Sequence, residues 1–410
     1  MRGEKPLWHG TLLVAGGAVG AGIFALPMAS AGAWMTWSTI GFLAVWAMTY
    51  MAASLFAKVN LAILADSNNS LDSQSSFSSL VSYTLGARWA AVNNLSIVFI
   101  MMILMYAYTS AGASIVSYSV ESLNIDISTS NRGWLSLGFA TLIGLIVWLG
   151  TSLVSQITLA LMVGMTITFG IATVGILPSV NLSQLAEPID TYHYLSGALP
   201  VYVTAFACAG LVPSLIKHYP EQQKKVFQSL FWGTFLALCV YLFWLIVTLG
   251  SIGREGFAPV LANGGNLADL VKALVNVGAD PSLQSRLSVF SHCAIITSYL
   301  SIGVGLLHFM QDKLSLNNSA RHRFIAALCC FAPPALASFM LPYGFVHAIS
   351  YAGIFVAFSF FIVPAIMATV MTKRTQLPKL KCIPIATFAF GLAIIALKVA
   401  LVFSLLPRFE

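Results

Sequence analysis

Two stretches of the sequence combine glycine and proline in a pattern that could bind a ligand through the peptide backbone. The first runs from Gly16 to Pro27 and includes four glycines, and the second runs from Leu199 to Pro213. Glycine leaves the main chain open to close approach, and proline removes an amide donor from a helix. Amide N–H groups at a helix end attract anions. The chemistry predicted for these residues is therefore ligand binding by the main chain itself.

The composition places both stretches in a membrane. Of the 410 residues, 58% are apolar and only 8% are charged, whereas about a quarter of the residues are charged in ordinary soluble domains. A soluble globular protein is therefore excluded. The net charge of +7 is not clustered as a nucleic-acid surface requires, so no nucleic acid partner is expected. We predict one all-α integral membrane domain over residues 1–410, with the lipid bilayer around it.

Apolar runs of about 20 residues, the length that crosses a bilayer, recur along the whole chain. They predict eleven membrane-spanning helices, at 8–29, 35–57, 89–119, 133–149, 154–177, 196–215, 228–250, 285–309, 324–341, 345–371 and 383–406. The first run resembles a signal peptide, but its glycines and the similar spans after it favour a retained helix. The six cysteines have no disulfide or zinc spacing.

The basic residues predict the orientation of these helices. With the N-terminus in the cytoplasm, fourteen of the twenty Lys and Arg residues fall in cytoplasmic segments, as the positive-inside rule requires. Five lie in the opposite segments, and Lys398 lies within the last span. We therefore expect a cytoplasmic N-terminus and a periplasmic or extracellular C-terminus.

Two breaks between the predicted spans are long enough to hold further structure. The break at 65–80 is rich in serine and asparagine, and the second break covers residues 251–284. Residues 266–275 within the second have the apolar spacing of an amphipathic helix. We predict that this helix caps the domain from outside and does not cross the membrane.

The two glycine- and proline-containing stretches interrupt spans 1 and 6, which are five spans apart. Backbone freed from helical bonding in the hydrocarbon core is costly unless it lines a cavity or is buried in protein. Interrupted helices at matching positions of two halves indicate the substrate site of a secondary transporter. The alternative is that the glycines only allow close helix packing, but two such interruptions, each followed by a proline, favour a binding site.

Four stretches resemble one known family. They are the Gly-Ala-Gly-Ile and Leu-Pro elements between Gly16 and Pro27, residues 199–215, residues 297–312 and residues 333–364. In this order they resemble the hydroxy and aromatic amino acid permeases, a bacterial family of the amino acid/polyamine/organocation superfamily that includes tyrosine and tryptophan permeases. The resemblance implies the leucine-transporter fold, which is a 5+5 inverted repeat with broken helices 1 and 6. The repeats would be 8–177 and 196–371, with 383–406 as an extra helix.

The resemblance implies a neutral, aromatic amino acid as substrate, such as tyrosine, tryptophan or phenylalanine. Its carboxylate is expected at backbone N–H groups around Gly20, Ala21 and Gly22. Its ammonium is expected at the carbonyl groups of Gly17 and Ala18 and at those of span 6 near Ala205 and Phe206. The expected substrate-binding residues are Gly17, Ala18, Gly20, Ala21, Gly22, Ile23, Phe24, Tyr106, Ala205, Phe206, Ala207, Cys208 and Ala209, with Tyr108 as an alternative to Tyr106. The Phe-Gly-Phe-His run that relatives tend to have in helix 6 is replaced here, so its histidine is missing.

The sequence leaves open whether the coupling cation is H⁺ or Na⁺. All thirteen acidic residues fall in loops or at span ends, so the span interiors lack the carboxylates that are common in proton-coupled carriers. The titratable side chains within or near spans are His292, His308, His347 and Lys398. Resemblance to leucine-transporter-like symporters implies a sodium site of carbonyls and hydroxyls from Gly16, Val19, Ala294, Thr297 and Ser298. The alternative is that these hydroxyls bond their own helix.

The leading hypothesis is a secondary active transporter of a bacterial inner membrane that imports the amino acid by cation-coupled symport with alternating access. A channel or facilitator for small solutes without ion coupling is the alternative, although the sequence has no selectivity-filter repeat. An enzyme is not expected, since the membrane stretches lack His-Glu-x-x-His, Gly-x-Ser-x-Gly or paired aspartates. No cofactor and no obligate protein partner are implied.

Overall fold

The chain folds into helices almost throughout. A computed structural model describes residues 5–65, 76–121, 131–186, 189–220, 222–262, 264–278, 280, 282–314, 316, 319–374, 382–407 and 409, and no strand occurs among them. The α-helices are α1 (Leu7–Ala18), α2 (Ala25–Ser30), α3 (Trp34–Ala65), α4 (Phe77–Leu85), α5 (Ala87–Glu121), α6 (Arg132–Leu149), α7 (Thr151–Ile176), α8 (Leu195–Ala205), α9 (Val212–His218), α10 (Gln223–Ile252), α11 (Ala258–Ala262), α12 (Leu267–Val277), α13 (Leu283–Lys313), α14 (Ala320–Met340), α15 (Phe345–Ala357), α16 (Val363–Arg374) and α17 (Cys382–Val402).

The number of spans agrees with the sequence. Within the described ranges, ten helical segments are long and apolar enough to cross a membrane, and the bent pair α1 and α2 supplies an eleventh. The prediction of an all-α membrane protein with about eleven spans is confirmed. Several helices are longer than predicted, as α3 continues past residue 57 to Ala65. Lys58 and Asn60 interrupt the apolar run there, although the helix itself continues through them.

The predicted amphipathic helix is present as α12. Its Leu267, Leu270, Val271 and Leu274 are buried, and it packs against α5, α10 and α13. The Ala268 N–H donates to Ser114 Oγ of α5 at 3.1 Å. With only 11 residues the helix is too short to cross a bilayer. Most of the other predicted break lies at 66–75, outside the described residues, and α4 follows it.

The first span is interrupted in its middle, as the sequence predicted. α1 ends at Ala18, Gly20 is extended with φ −147° and ψ −157°, and the 3₁₀ turn Ala21–Phe24 leads into α2. The two halves are bent by 51° relative to each other. Pro27 does not cause the interruption, because it lies in the first turn of α2, where a missing N–H is tolerated.

The sixth span is interrupted as well. α8 ends at Ala205, residues 206–208 are not helical, and the 3₁₀ turn Ala209–Leu211 leads into α9. Pro213 is at the start of α9, where proline fits a helix. Pro200 lies inside α8. The prolines therefore flank the interruption.

The half-helices α1 and α8 each pack along another helix of the bundle. α1 packs along α10, α8 packs along α15, and α7 packs along α13. Gly353 of α15 lies so close to the backbone of Pro200 that a β-carbon would collide with it. The π-helical turn Phe358–Ile362 joins α15 to α16, and such turns are frequent at functional sites. This packing brings the two interruptions next to each other.

Candidate functional site

A cavity of about 390 Å³ lies at the two helix interruptions. Its size falls within the range of small-molecule sites, which is about 300–1,000 Å³. Besides the interruptions, α5, α7, α13, α15 and the π turn contribute to its wall. The lining residues are Gly16, Gly17, Ala18, Val19, Gly20, Gly22, Ile100, Met101, Leu104, Tyr108, Thr158, Met162, Met165, Thr204, Ala205, Ala207, Gly210, Leu211, Thr297, Ser298, Ser301, Ile302, Ile349 and Phe360.

The first interruption presents amide groups to this cavity. The Ala21 N–H donates to Ser298 Oγ at 2.9 Å. The N–H groups of Gly20 and Gly22 donate to no other group in the described part of the chain. Amides without a partner are costly at this depth of a membrane. The amides of Gly20 and Gly22 are therefore available to an anionic group such as a carboxylate.

One tyrosine hydroxyl group lies within hydrogen-bonding distance of a carbonyl oxygen from each interruption. Ala18 is the last residue of α1 and Ala205 is the last residue of α8, so their carbonyls are at helix C-termini, which carry partial negative charge. Tyr241 of α10 has its hydroxyl 2.6 Å from the Ala18 oxygen and 2.9 Å from the Ala205 oxygen. Ala18 and Ala205 line the cavity. This side of the site suits a cation or an ammonium group.

Two glycines of the first interruption are required for different reasons. A β-carbon at position 20 would lie 2.8 Å from Ser298 Oγ, so Gly20 allows α13 to approach the backbone. A β-carbon at position 22 would have no heavy atom within 4 Å. Gly22 therefore leaves open space in the cavity, which any side chain at this position would occupy.

Tyr108, and not Tyr106, lines the cavity. Tyr106 donates its hydroxyl hydrogen to the Leu341 carbonyl at 2.8 Å, away from the cavity. The Tyr108 side chain is only 7% exposed, and no described group forms a hydrogen bond with its hydroxyl. A buried tyrosine hydroxyl normally has a partner. Tyr108 is thus a polar group available to a ligand.

Apolar side chains form another part of the wall. α5 contributes Met101 and Leu104, α7 contributes Met162 and Met165, and α13 contributes Ile302. Methionine is flexible and makes favourable sulfur–aromatic contacts. This wall suits a large apolar or aromatic group.

The structure distributes the thirteen predicted substrate residues between the cavity and the protein interior. Those that line the cavity are Gly17, Ala18, Gly20, Gly22, Ala205 and Ala207; those that do not are Ala21, Ile23, Phe24, Tyr106, Phe206, Cys208 and Ala209. Phe24 packs instead against Phe290, with ring centroids 4.9 Å apart. Phe206 packs against Tyr241 at 5.1 Å. The backbone groups at the interruptions are therefore brought together, whereas the two predicted phenylalanines pack behind the wall.

Four of the predicted sodium ligands also lie at the cavity. Gly16, Val19, Thr297 and Ser298 line it, and Ala294 is buried behind them. The Thr297 hydroxyl lies 2.8 Å from the Cys293 carbonyl and 3.1 Å from that of Ala294 and donates within its own helix, but its oxygen still has lone pairs. Carbonyls and hydroxyls are the oxygen donors that hard cations take. The residue types therefore fit a sodium ion.

Lys398 lines a second cavity of about 440 Å³, together with His347 and Tyr351. The lysine is only 7% exposed, and its ammonium lies 4.1 Å from the centre of the Tyr351 ring, as in a cation–π contact. His292 Nδ1 lies 2.8 Å from the Ser288 carbonyl in α13, and His308 is exposed. None of the three histidines lines the cavity at the interruptions, and neither does Lys398.

None of the acidic side chains that the structure describes lines that cavity. They lie at helix ends or in connections and are Glu121, Asp190, Glu255, Asp269, Asp280 and Asp312. Glu121 pairs with Lys272 at 3.0 Å, which ties the end of α5 to α12. The described wall of the cavity contains no carboxylate, as expected from the sequence. The polar groups along this described wall are main-chain groups and hydroxyl-bearing side chains, which are Tyr108, Thr158, Thr204, Thr297, Ser298 and Ser301.

Sequence reasoning missed Tyr241 and the methionine wall. The only sign of Tyr241 in the sequence is that it places a hydroxyl within the apolar run 235–247 of α10. Such a hydroxyl needs a hydrogen-bond partner once it is buried. Met162 and Met165 carry no distinguishing signal, because apolar side chains occur on every face of α7.

Comparison with known proteins gives consistent matches over almost the whole chain. Residues 3–404 match the tryptophan/tyrosine permease family. A tryptophan-specific transport protein of Pseudomonas aeruginosa is 38% identical over 91% of this chain and 88% of its own length. A protein of the same description from Shigella flexneri is 33% identical over 98% and 97%. A tyrosine permease of Enterobacter agglomerans is 31% identical over 90% and 88%.

Proposed function

The chain belongs to the tryptophan/tyrosine permease family, and we propose that it carries an aromatic amino acid, in the first place tryptophan, across the inner membrane of a bacterium. Membership confirms the family resemblance found in the sequence and makes the protein a transport protein and not an enzyme. Relatives described as tryptophan-specific are 38% and 33% identical, and the tyrosine permease is 31% identical. This order supports tryptophan as the preferred substrate.

The observation that carries the proposal is that both kinds of backbone group meet at one cavity. The free amides of Gly20 and Gly22 suit the substrate carboxylate. The carbonyl oxygens of Ala18 and Ala205 suit the ammonium. An amino acid carries these two charges on adjacent groups, so the main chain recognises what all amino acids share. Tyr108 adds a hydroxyl beside them.

The substrate side chain is proposed to bind the apolar wall of Met101, Leu104, Met162, Met165 and Ile302. An indole ring gains free energy there by leaving water and by contact with the methionine sulfur atoms. Phe206 does not take part in stacking in this arrangement, because its ring packs against Tyr241 and Phe42.

A cation is proposed to drive uphill transport. If it is sodium, Gly16, Val19, Ala294, Thr297 and Ser298 would hold it, and its positive charge would lie beside the substrate-binding backbone. The bond between Ala21 and Ser298 supports this coupling, because it joins the two sets of residues. The described wall offers no carboxylate to carry a proton, which favours sodium over H⁺.

Alternating access and the 5+5 inverted repeat are part of the proposal. The cavity wall extends from the interruptions toward the bundle end at which α1 begins. This direction is indicated by Thr158 and Met162, which line the cavity and lie in the first half of α7. Toward the opposite end, Phe24, Tyr202 and Trp244 are at most 1% exposed. With a cytoplasmic N-terminus, these features support an inward-facing conformation. Transport then requires a second conformation in which the sealed side opens.

Uptake by proteoliposomes tests the proposal. The purified protein is reconstituted, and entry of tritiated L-tryptophan is followed under a sodium gradient, a proton gradient or neither, with unlabelled tyrosine, phenylalanine and leucine as competitors. We expect saturable, gradient-stimulated uptake and counterflow, with tryptophan as the strongest competitor. Absence of uptake under every gradient, or a steady conductance without counterflow, would overturn the proposal.

A further inference from the structure

Tyr241 joins the two interruptions from behind the cavity wall. Its side chain is fully buried and is absent from the cavity lining. The ring packs against Phe206, with centroids 5.1 Å apart, and against Phe42 at 6.1 Å. These contacts aim the hydroxyl at the ends of α1 and α8. The hydroxyl therefore has little freedom to choose other partners.

One hydroxyl hydrogen serves two acceptors. The Tyr241 oxygen lies 2.6 Å from the Ala18 carbonyl oxygen and 2.9 Å from that of Ala205. A tyrosine hydroxyl has a single hydrogen to donate. No further donor reaches either carbonyl in the described ranges. The two oxygens thus share one donor, and together they can accept more hydrogen bonds than they receive.

Both carbonyls belong to helix C-termini and repel each other. α1 and α8 have 12 and 11 residues, and the end of such a helix carries a partial negative charge. A hydrogen placed between the two oxygens reduces this repulsion. Without it, we expect the ends of α1 and α8 to move apart, because nothing else described bonds to both.

We infer that Tyr241 is a positioning residue that holds the Ala18 and Ala205 carbonyl oxygens at the spacing at which both accept hydrogen bonds from the substrate ammonium. This inference rests on the proposed function. Tyr241 acts through the two carbonyls and does not touch the substrate. The side chain therefore adds to the affinity for the ammonium group and not to the affinity for the aromatic ring or the carboxylate.

Binding of two ligands to two matched variants tests this role. The ligands are L-tryptophan and indole-3-propionate, which has the same ring and carboxylate but no ammonium. The variants are Tyr241→Phe and, as a control, Tyr299→Phe, which removes a buried hydroxyl bonded to Thr109 at 2.9 Å. We expect Tyr241→Phe to weaken tryptophan binding by about tenfold, or about 1.4 kcal/mol, and to leave indole-3-propionate unchanged. Tyr299→Phe should leave the ratio of the two affinities as it is in the wild type.

Equal effects of Tyr241→Phe on both ligands, or no effect on either, would overturn the inference. Replacement of Tyr241 by p-aminophenylalanine restores N–H donors at the same place and should restore tryptophan affinity. If the phenylalanine variant does not fold, the affinities of the p-aminophenylalanine variant for the two ligands are the test. If the p-aminophenylalanine variant loses the preference for L-tryptophan over indole-3-propionate, the inference is contradicted. If that preference is preserved, the inference is supported. If the wild-type protein binds no tryptophan, the proposed function itself fails, which is a different result from an unchanged ratio.

Discussion

The backbone N–H of Ala21 donates to the side-chain oxygen of Ser298 at 2.9 Å, although the two residues are 277 positions apart in the sequence. This bond joins the interruption of the first span to α13. Gly20 and Gly22, whose amides are free, flank Ala21 in the chain, and Thr297 directly precedes Ser298. A change in the position of Ser298 is therefore transmitted directly to the backbone that is proposed to bind the substrate carboxylate.

Replacing Ser298 by alanine should weaken substrate binding even without sodium. The Ala21 N–H then loses its acceptor, and an intramolecular hydrogen bond contributes about 1 kcal/mol. We expect tryptophan affinity to fall by about fivefold in a sodium-free binding assay. Ser288→Ala is the control, because this hydroxyl is on the same helix but bonds to Ser119 Oγ at 2.8 Å outside the cavity. An equal loss in both variants would argue against a special role of Ser298.

Replacing Thr297 by alanine should reduce the sodium stimulation of uptake. The variant removes one of the oxygen ligands proposed for the cation but leaves the substrate-binding amides and carbonyls in place. We expect the sodium concentration for half-maximal stimulation to rise by about tenfold, whereas Thr297→Ser, which keeps the hydroxyl, should stay near the wild type. An unchanged sodium response in the alanine variant contradicts the proposed cation site.

Replacing Gly22 by valine should abolish substrate binding without unfolding the protein. A β-carbon at this position has no heavy atom within 4 Å, so the valine side chain occupies the cavity and not the protein interior. Gly170→Val is the control, since a β-carbon there also has open space and Gly170 is exposed on α7. The measurements are tryptophan binding and elution from size-exclusion chromatography. Wild-type affinity in Gly22→Val would place the substrate elsewhere.

Replacing Tyr108 by phenylalanine should weaken tryptophan binding by about tenfold. Tyr108 lines the cavity and its hydroxyl has no partner in the described chain, so we expect this hydroxyl to form a hydrogen bond with the ligand. Tyr106→Phe serves as the matched control, because it breaks a bond to the Leu341 carbonyl outside the cavity. Tyr106→Phe should lower the melting temperature and leave the affinity unchanged. If Tyr106→Phe weakened tryptophan binding and Tyr108→Phe did not, Tyr106 would be the residue that contacts the substrate.

The sequence predicted the spans and both interruptions because these depend on composition and on local backbone preference. Glycines between Gly16 and Gly22 weaken a helix wherever they occur, so the interruption needs no knowledge of the partner helices. The backbone groups of Ala18, Gly20, Gly22 and Ala205 followed from the interruptions directly. All four line the cavity.

Side-chain directions could not be predicted in the same way. Tyr106 and Tyr108 are about 200° apart around α5, and an apolar helix gives no sign of which side faces the cavity. Phe206 lies within the second interruption, where helical periodicity is lost and no spacing rule applies. Tyr241 lies on a different helix, and its two acceptors become neighbours only when α1, α8 and α10 pack together.

A cryo-electron microscopy structure of the protein with L-tryptophan would show directly whether the substrate binds between the two interruptions. We expect density for one tryptophan between the two interruptions, with its ammonium within hydrogen-bonding distance of the Ala18 and Ala205 carbonyl oxygens and its ring against Met162 and Met165. Density for the amino acid at another place, such as the cavity that contains Lys398, together with an empty space between the interruptions, would contradict the proposed substrate site.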